Sequence, residues 1–299
     1  MAFATTATEW VRDADVDRPL HEAACAAVGV DIDHRNWSDP DVAWDDYDLV
    51  VVRSTWDYLD HLDDYRAWLA RVGALGILHN PAPVIDWNLD KRYLLDLSAA
   101  GVPVVATAVC ASADDVAAAL AACRGEVVVK PVVSAGSQRT GRFAAGDPAA
   151  AALAHEILGR GTGVLVQPAV ASVVRDGEVS ALVFGGVISH AARKGPILAL
   201  GGGLVGGSYT ERLVAEELTP ERRAVVEAAS RAVGELVAER FGIAEPLLYA
   251  RFDLVTLDDG TEAVLEAELA EPAFFFPTAP DAADRFARVL DRRLGPGPG

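Results

Sequence analysis

Residues 249–268 read YARFDLVTLDDGTEAVLEAE, a pattern that is typical of a β-hairpin. Two strand-forming runs flank Asp259-Gly260, which is a favoured two-residue turn. With that turn, Asp258 lies opposite Thr261, and the register of every other pair follows. Because successive side chains of a strand point to opposite faces, one face is charged and the other apolar. The apolar face, which is suited to a protein core, consists of Phe252, Leu254, Leu265 and Ala267.

The charged face of this hairpin brings acidic side chains together. Asp253 lies opposite Glu266, and Arg251 lies opposite Glu268. Two facing carboxylates destabilise a strand pair unless something neutralises them. A hard divalent cation such as Mg²⁺ takes oxygen ligands, so the hairpin predicts a metal site. A solvent-facing polar side, on which Arg251 offsets the acids, is the competing interpretation.

The chain is acidic, with 299 residues and a formal net charge of −18. This charge predicts that neither nucleic acid nor an anionic membrane is a partner, and that an anionic ligand needs a local cluster of cations. No apolar run is long enough to span a membrane, and residues 2–10 predict a first strand rather than a signal peptide. Three cysteines without a CxxC pair predict a cytoplasmic protein without a cysteine zinc site.

A buried strand that ends in a lysine precedes a loop rich in serine and glycine. The strand covers residues 126–131 and carries Lys130, and this order presents positive charge and backbone N–H groups to phosphates. We therefore predict a phosphate-binding loop, with an ordinary surface hairpin as the alternative. Taken alone, Lys91 and Lys194 are typical of solvated lysines at a helix start and a strand end. The loop residues are Ser134, Gly136 and Ser137.

Residues 47–53 predict a buried strand that leads directly into a polar cluster. Open α/β sheets bind ligands at the carboxyl ends of their strands. Arg53 is suited to the carboxylate of an amino acid through a bidentate contact, and Asp57 to its ammonium group. In the alternative, Arg53 and Asp57 form a local ion pair and Trp56 packs with Tyr58 in the core. The predicted substrate contacts are Arg53, Ser54, Thr55, Asp57 and Tyr58.

Strand and helix signals alternate over the first hundred residues, which predicts a small α/β domain, whereas from Pro103 onward short turns between strands predict α+β structure. Residues 195–209 are rich in glycine and have no period, which predicts a mobile active-site loop. The predicted helices are 17–28, 63–71, 88–100, 113–123, 148–158, 219–241 and 281–294, and the further predicted strands are 76–79, 103–109, 126–131, 164–170, 178–184 and 186–192.

The ordered set of motifs over roughly residues 80–280 resembles the ATP-grasp ligases. The motifs are DK at 90–91, VVKP at 128–131, the Ser/Gly loop, VLVQPAV at 164–170, GE at 177–178, Lys194, RFD at 251–253 and LEAE at 265–268. The resemblance implies an ATP-grasp fold of three parts. A small pre-ATP-grasp α/β domain with a linking helix covers residues 1–101, and two α+β subdomains, a central lid (102–168) and a catalytic subdomain (169–299), sandwich ATP. Residues 1–80 resemble the first domain of glutathione synthetase-like members.

The same resemblance implies roles for individual residues. It implies that Asp253, Glu266 and Glu268 bind Mg²⁺, with Mn²⁺ as the alternative ion. Lys194 is expected on the transferring phosphate, and Arg251 is expected to stabilise charge that builds up during phosphoryl transfer. The implied ATP contacts are Lys91, Lys130, Ser134, Gly136, Ser137, Gln167, Val170 and Glu178.

Four further strings are most similar to the D-cycloserine synthetases: RSTWDY at 53–58, WNLDK at 87–91, HAARKGP at 190–196 and LEAELAEP at 265–272. This similarity implies an ATP- and Mg²⁺-dependent carbon–nitrogen ligase of antibiotic biosynthesis, which closes O-ureido-D-serine to D-cycloserine through an acyl phosphate. The expected partner is a small amino-acid-like substrate, and a homodimer is left open. The alternatives are an intermolecular ligase that joins an amino acid to a second amine, and a non-catalytic nucleotide-binding sensor. The three retained acids argue against the sensor.

Overall fold

The computed structural model describes residues 1–204 and 212–295, which form three β-sheets. The first sheet contains β1 (Ala2–Thr5), β2 (Asp33–Asn36), β3 (Val50–Val52) and β4 (Leu78–His79), and the helices beside it are α1 (Glu9–Ala14), α2 (Arg18–Ala27) and α3 (Leu62–Gly73). Its order is β2-β1-β3-β4, and all of its neighbouring strands are parallel. The predicted α/β character of this part of the chain is confirmed.

Two short helices, α4 (Ala82–Leu89) and α5 (Tyr93–Ala99), take the place of the single helix predicted at 88–100. Asn88 does not cap a helix as predicted, since it lies inside α4. Its side-chain amide donates to the Ala267 carbonyl at 2.8 Å and accepts from the Leu269 N–H at 2.6 Å. A distant strand end therefore sets the position of this segment, and Lys91 lies at the break between the two helices.

The second sheet contains β5 (Ala108–Cys110), β6 (Glu126–Pro131), β7 (Gly141–Ala144) and β8 (Val164–Pro168), with α6 (Ala113–Ala122) and α7 (Pro148–Gly159) packed against it. It is antiparallel, in the order β5-β8-β6-β7. β7 was not predicted, and it makes the Ser/Gly loop the connection of a hairpin. The strand predicted at 103–109 is shorter, because Val105 instead donates its N–H to the Val264 carbonyl.

The third sheet contains β9 (Glu178–Phe184), β10 (Val187–Lys194), β11 (Leu213–Glu216), β12 (Tyr249–Thr256) and β13 (Glu262–Glu268), accompanied by α8 (Ala171–Asp176), α9 (Pro220–Phe241) and α10 (Ala282–Leu294). It is antiparallel in the order β11-β10-β9-β12-β13. The bounds predicted for α9 are confirmed, since Thr219 caps its start through the Arg222 N–H and Gly242 ends it with a φ of +70°. These antiparallel sheets complete the α/β and α+β fold class that the sequence predicts.

The hairpin of β12 and β13 contains the predicted facing pairs, but its turn is different from the predicted one. Asp253 lies opposite Glu266, and Arg251 lies opposite Glu268. The predicted two-residue turn was wrong: Leu257, not Asp258, lies opposite Thr261. The loop has three residues because Gly260, with a φ of +87°, takes the left-handed position that such loops require. One extra residue in β13, Leu265, then forms a β-bulge that restores the register of the acids.

The bulge changes the surroundings of Leu265. The predicted core set is correct for Phe252, Leu254 and Ala267, which are buried in the main core. Leu265 instead packs beside Val170 in a small separate cluster. The different position of Leu265 follows from the alternation of side chains along a strand, since an inserted residue turns one side chain to the opposite face.

A carboxylate from the first domain holds the C-terminal part of the chain. Asp17 stands at the start of α2 as predicted, but its side chain does not cap that helix. It accepts the backbone N–H groups of Phe274 at 2.5 Å, Phe275 at 3.2 Å and Phe276 at 2.8 Å. Arg53 lies 3.7 Å from the same carboxylate, and both side chains are 1% exposed. The two ends of the chain therefore share one buried network.

The apolar core beside this network is also shared between the two ends of the chain. Phe3 and Cys25, from β1 and α2, pack in one cluster with Phe184, Phe274 and Phe286. None of the helices within the described residues has both the length and the apolar character needed to cross a bilayer.

We predict that Asp17→Ala lowers the free energy of unfolding by about 3 kcal/mol or more, because it leaves three backbone N–H groups and the Arg53 guanidinium buried with fewer partners. Exposed Asp63 provides the control, and Asp63→Ala should change stability by less than about 0.5 kcal/mol. Urea unfolding followed by circular dichroism measures both variants. Equal stabilities of the two variants would contradict the proposed role of Asp17.

Candidate active site

A cavity of about 400 Å³ lies between the second and third sheets and is bordered by residues of the first domain. The Ser/Gly loop, β13 and the segment after β13 all contribute to its walls. Most of the predicted site residues line it: Tyr58, Lys91, Lys130, Ser134, Gly136, Ser137, Gln167, Val170, Glu178, Arg251, Glu266 and Glu268. Lys194 and Asp253 lie beneath this lining, and Arg53, Ser54, Thr55 and Asp57 lie outside it.

Three carboxylates converge where the sequence predicts a metal site. Asp253, Glu266 and Glu268 each offer an oxygen atom, and these atoms lie within 4.8 Å of one another. The facing register of β12 and β13 brings them together, because all three side chains project from the charged face of the hairpin. Three converging carboxylate oxygens are a donor set that suits Mg²⁺.

Asp253 is almost completely buried and is held from three sides. Its oxygens accept from the Ser180 hydroxyl at 2.6 Å, the Lys194 ammonium at 2.8 Å and the Arg251 Nε at 3.0 Å. Burial by itself would raise the pKa of this carboxyl, but Arg251 and Lys194 outweigh it and hold the pKa below its usual range. Asp253 is therefore a fixed anion.

The other two acids of the cluster have opposite proton affinities. Burial opposes ionisation of Glu266, but Lys91 at 2.9 Å and Lys130 lower its pKa to about 2. Glu268 is bonded to Arg251, yet burial together with the charges of Asp253 and Glu266 raises its pKa to about 8. A divalent cation between these groups would relieve the repulsion that raises the pKa of Glu268.

Two lysines of similar burial occupy different electrostatic positions. Lys91 and Lys130 are each 7% exposed. Lys91 forms an ion pair with Glu266 and donates to the Ser134 carbonyl at 2.6 Å. No ion pair or hydrogen bond of the Lys130 ammonium occurs within the described part of the chain, and burial lowers its pKa although Glu266 partly offsets this effect. Lys130 thus carries a positive charge towards the cavity that no neighbouring carboxylate pairs directly.

The Ser/Gly loop lies on the cavity wall between β6 and β7. Gly136 has a φ of +57° and Ser137 a φ of +55°, so two successive residues adopt the left-handed conformation. A β-carbon at Gly136 would meet no neighbouring atom, which leaves room for a ligand beside the backbone. The loop connects the paired strands β6 and β7 as a hairpin and lines the cavity beside Lys130, and its phosphate-binding role stays a prediction.

A mainly apolar wall faces this loop. Val170, Leu265 and Leu198 line it, and the Gln167 amide donates to the Thr107 hydroxyl at 2.9 Å. The glycine-rich segment predicted as a mobile loop contributes its first residues, 195–198, to the wall. Residues 205–209 of that segment lie outside the described residues.

Glu178 and Lys194 form a pair across β9 and β10. Their charged atoms are 2.5 Å apart, and Lys194 also contacts Asp253. Burial raises the pKa of Glu178, and the nearby Lys194 ammonium opposes this rise. Lys194 is therefore not a solvated strand-end lysine, since it bridges a cavity carboxylate and the buried Asp253.

Of the polar cluster after β3, Tyr58 lines the cavity as predicted, whereas Arg53, Ser54, Thr55 and Asp57 do not. Arg53 donates to the Pro272 carbonyl at 3.0 Å and stacks on the Phe274 ring at 3.5 Å. The Asp57 carboxylate accepts from Trp37 and from two threonines near β1. The predicted alternative is wrong for the Arg53–Asp57 ion pair, since Arg53 lies beside Asp17, but correct for Tyr58, which packs in a buried core cluster. Residues 272–276 occupy the crevice at the carboxyl edge of the first sheet, which displaces the cavity from Arg53.

Several cavity residues were missing from the sequence prediction. Trp56 and Tyr58 do border the cavity, but the carboxylate beside them, Glu271, was not predicted. Its only signal in the sequence was its position in the string LEAELAEP, directly after a strand that carries metal-type acids. Trp10, Arg142 and Phe275 also line the cavity and lacked any such signal.

We predict different stability effects for the two lysines. Lys130→Met should change the free energy of unfolding by less than about 1 kcal/mol, because the desolvation cost of a buried cation is removed together with its attraction to Glu266. Lys91→Met should lower it by about 3 kcal/mol, because Glu266 and the Ser134 carbonyl lose a buried partner. Thermal and urea unfolding of the ligand-free protein measure both. Destabilisation of similar size in the two variants would show that Lys130 is paired.

Comparison with known proteins places this geometry in a family. Residues 1–80 match the family described as D-cycloserine synthetase DcsG, N-terminal domain. The cycloserine biosynthesis protein DcsG of Streptomyces lavendulae is 38% identical over 293 residues, covering 94% of this chain and 95% of the relative. The crystal structure of D-cycloserine synthetase DcsG is 35% identical, with a TM-score of 0.88 over 98% of this chain and 99% of that one.

A more distant solved structure has the same fold. The ATP-grasp ligase PsnB, complexed with minimal precursor, Mg and ADP, is 18% identical, with a TM-score of 0.63 over 99% of this chain and 98% of that one. The resemblance of the motif order to ATP-grasp proteins is thus confirmed at the level of three-dimensional structure. The chain has the ATP-grasp fold and belongs to the family of the cycloserine biosynthesis protein DcsG.

Proposed function

We propose that this protein is an ATP- and Mg²⁺-dependent ligase that activates a substrate carboxylate as an acyl phosphate for attack by a nitrogen atom. The observation that carries the proposal is the convergence of Asp253, Glu266 and Glu268 with Lys91, Lys130 and Arg251 at one cavity. The membership in the DcsG family and the Mg- and ADP-bound ligase of the same fold support it.

The first need of this chemistry is to bring two anions together. A carboxylate is inert towards amines at neutral pH, so ATP must convert it to a better electrophile. Both the carboxylate and the γ-phosphate are negative, and the chain carries a net charge of −18. Local cations must therefore overcome repulsion, and positioning with electrostatic stabilisation supplies most of the catalysis in phosphoryl transfer.

Each cation has a position that suits one part of this task. Lys130 and the backbone of the Ser/Gly loop are suited to phosphate oxygens, since the Lys130 charge is not directly paired among the described residues. Mg²⁺ held by the three acids would neutralise and orient the phosphates. Arg251 is fixed by Asp253 and Glu268 and stacks on Phe275, with 5.0 Å between its guanidinium carbon and the ring centre. A fixed guanidinium is suited to stabilise charge on the reacting carboxylate.

We propose that the carboxylate and the attacking nitrogen belong to one molecule, O-ureido-D-serine. The nitrogen bound to the side-chain oxygen attacks the acyl phosphate and expels phosphate, which closes the five-membered isoxazolidinone ring. One water molecule then hydrolyses the carbamoyl group, which leaves as carbon dioxide and ammonia and gives D-cycloserine. The 38% identity to a cycloserine biosynthesis protein supports this substrate.

The sharpest test is product analysis. The protein should release phosphate from ATP in the presence of O-ureido-D-serine, and mass spectrometry should show D-cycloserine. A panel of small amino acids with and without a second amine serves as the control. A linear amide or dipeptide product would instead identify an intermolecular ligase. Absence of phosphate release with every carboxylate would refute the ligase proposal and favour a nucleotide-binding sensor.

A second prediction concerns the metal ligands. Glu266→Gln should lower kcat by at least about a thousandfold, because the amide is neutral and a poorer ligand for Mg²⁺. The matched control is Glu262→Gln at the other end of β13, where Glu262 pairs with Arg222 away from the cavity. The kcat of Glu262→Gln should differ from that of the wild type by less than about threefold. Normal turnover and Mg²⁺ dependence in Glu266→Gln would exclude the metal assignment.

A further inference from the structure

Among the cavity carboxylates of the described residues, Glu271 and Asp15 differ from the others because neither forms an ion pair with a lysine or arginine. Glu178 pairs with Lys194, Glu266 with Lys91, and Glu268 with Arg251. Glu271 lines the same cavity and is 9% exposed, but no lysine or arginine within the described residues forms an ion pair with it. Its side chain interacts with the Tyr58 hydroxyl. A buried anion with a single neutral partner is costly unless a ligand supplies the missing charge.

The segment around Glu271 is held at several points. Its own carbonyl accepts the Trp56 Nε1–H at 2.9 Å. The next carbonyl, of Pro272, accepts from Arg53 at 3.0 Å, and the carbonyl of Ala273 accepts from Arg251 at 3.3 Å. Tyr58 itself is 2% exposed and stacks on Tyr65. Glu271 is thus a preorganised acceptor that needs little rearrangement to bind a donor.

The neighbours of Glu271 define the chemistry that it recognises. Arg251, whose guanidinium suits a substrate carboxylate, lines the same cavity and donates at 3.3 Å to the carbonyl of Ala273, two residues after Glu271. A molecule whose carboxylate lies at Arg251 therefore presents its adjacent atoms towards Glu271. A cation on the neighbouring carbon, as in an α-amino acid, would complete the pairing. A hydroxy acid or an N-acylated amino acid would leave Glu271 buried without its charge partner.

We propose that Glu271, oriented by Tyr58, binds the α-ammonium group of the substrate and makes the cavity selective for free amino acids. This inference rests on the proposed activation of a carboxylate at Arg251. It assigns the recognition of the ammonium group to Glu271 and thereby replaces Asp57, whose carboxylate is occupied by Trp37 and two threonines.

The test compares two probes that differ only in the amino group: O-ureido-D-serine and 3-(ureidooxy)propanoate, its analogue without that group. Calorimetry in the presence of Mg²⁺ gives the dissociation constants, with a non-hydrolysable ATP analogue in place of ATP so that no turnover occurs. The wild type should bind the amino acid on the order of a hundredfold more tightly than the analogue. Glu271→Gln should bind the two probes with similar affinity, and its KM for ATP should be unchanged.

Two further variants separate recognition from structure. Tyr58→Phe should reduce the preference only partly, because the carboxylate remains but is less well oriented. Asp15→Asn, which alters another buried carboxylate of the cavity wall, should keep the full preference. Circular dichroism and thermal unfolding check that each variant is folded, and Glu271→Asp should retain part of the preference if Glu271→Gln is unstable.

The outcomes distinguish this inference from the proposed function. An unchanged preference in folded Glu271→Gln, loss of the preference in Asp15→Asn instead, or failure of the wild type to distinguish the probes would each overturn the role of Glu271. Selective binding without phosphate release would leave the role intact and refute the ligase activity. Phosphate release with equal use of both probes would leave the ligase activity intact and refute the role of Glu271.

Discussion

The constraint on which the site depends is the pairing of charges that have been removed from water. Taking an isolated ion into a protein interior costs several kcal/mol, and only close opposite charges with good geometry offset that cost. Here the pairing is made across strands of one sheet, since Lys194 lies opposite Glu178, and Arg251 lies opposite Glu268. The ion pairs of the cavity therefore form only when β9, β10, β12 and β13 keep this register. A shift of any of these strands by one residue would separate the ion pairs and expose the apolar face as well.

The parts of this arrangement that depend on local patterns could be predicted from the sequence. Alternation along residues 249–268 was sufficient to put Asp253 and Glu266 on the same face of the hairpin, and the helix from Thr219 to Gly242 is bounded by its own capping residues. The two-residue turn was nevertheless wrong, and the acids still meet only because the bulge at Leu265 compensates for the longer loop. Alternation records which residues share a face, but it does not record where an extra residue is accommodated.

The parts that depend on distant backbone could not be predicted. Asn88 resembled a helix cap, Asp17 a similar cap and Arg53 a ligand for a carboxylate, because each is a polar residue next to a suitable element. Their partners are backbone groups of residues 267–276, which lie roughly 180 to 260 positions away along the chain. The sequence shows the donor or acceptor but not the chain segment that satisfies it. Glu271 was missed for the same reason, since only the folded chain shows that no lysine or arginine of the described residues forms an ion pair with it.

The core shared by the two ends of the chain has a consequence for how this protein can vary in evolution. The first eighty residues match a family domain, yet Phe3 and Cys25 complete their packing on Phe274 and Phe286, and Asp17 fixes the backbone of residues 274–276. Recombination that exchanged only the first eighty residues with those of a relative would break this packing. The smallest unit that can be inherited as a whole therefore combines the amino-terminal domain with residues 271–290, which also carry one wall of the cavity. A change in the amino-terminal domain of this chain therefore requires compatible residues at 271–290.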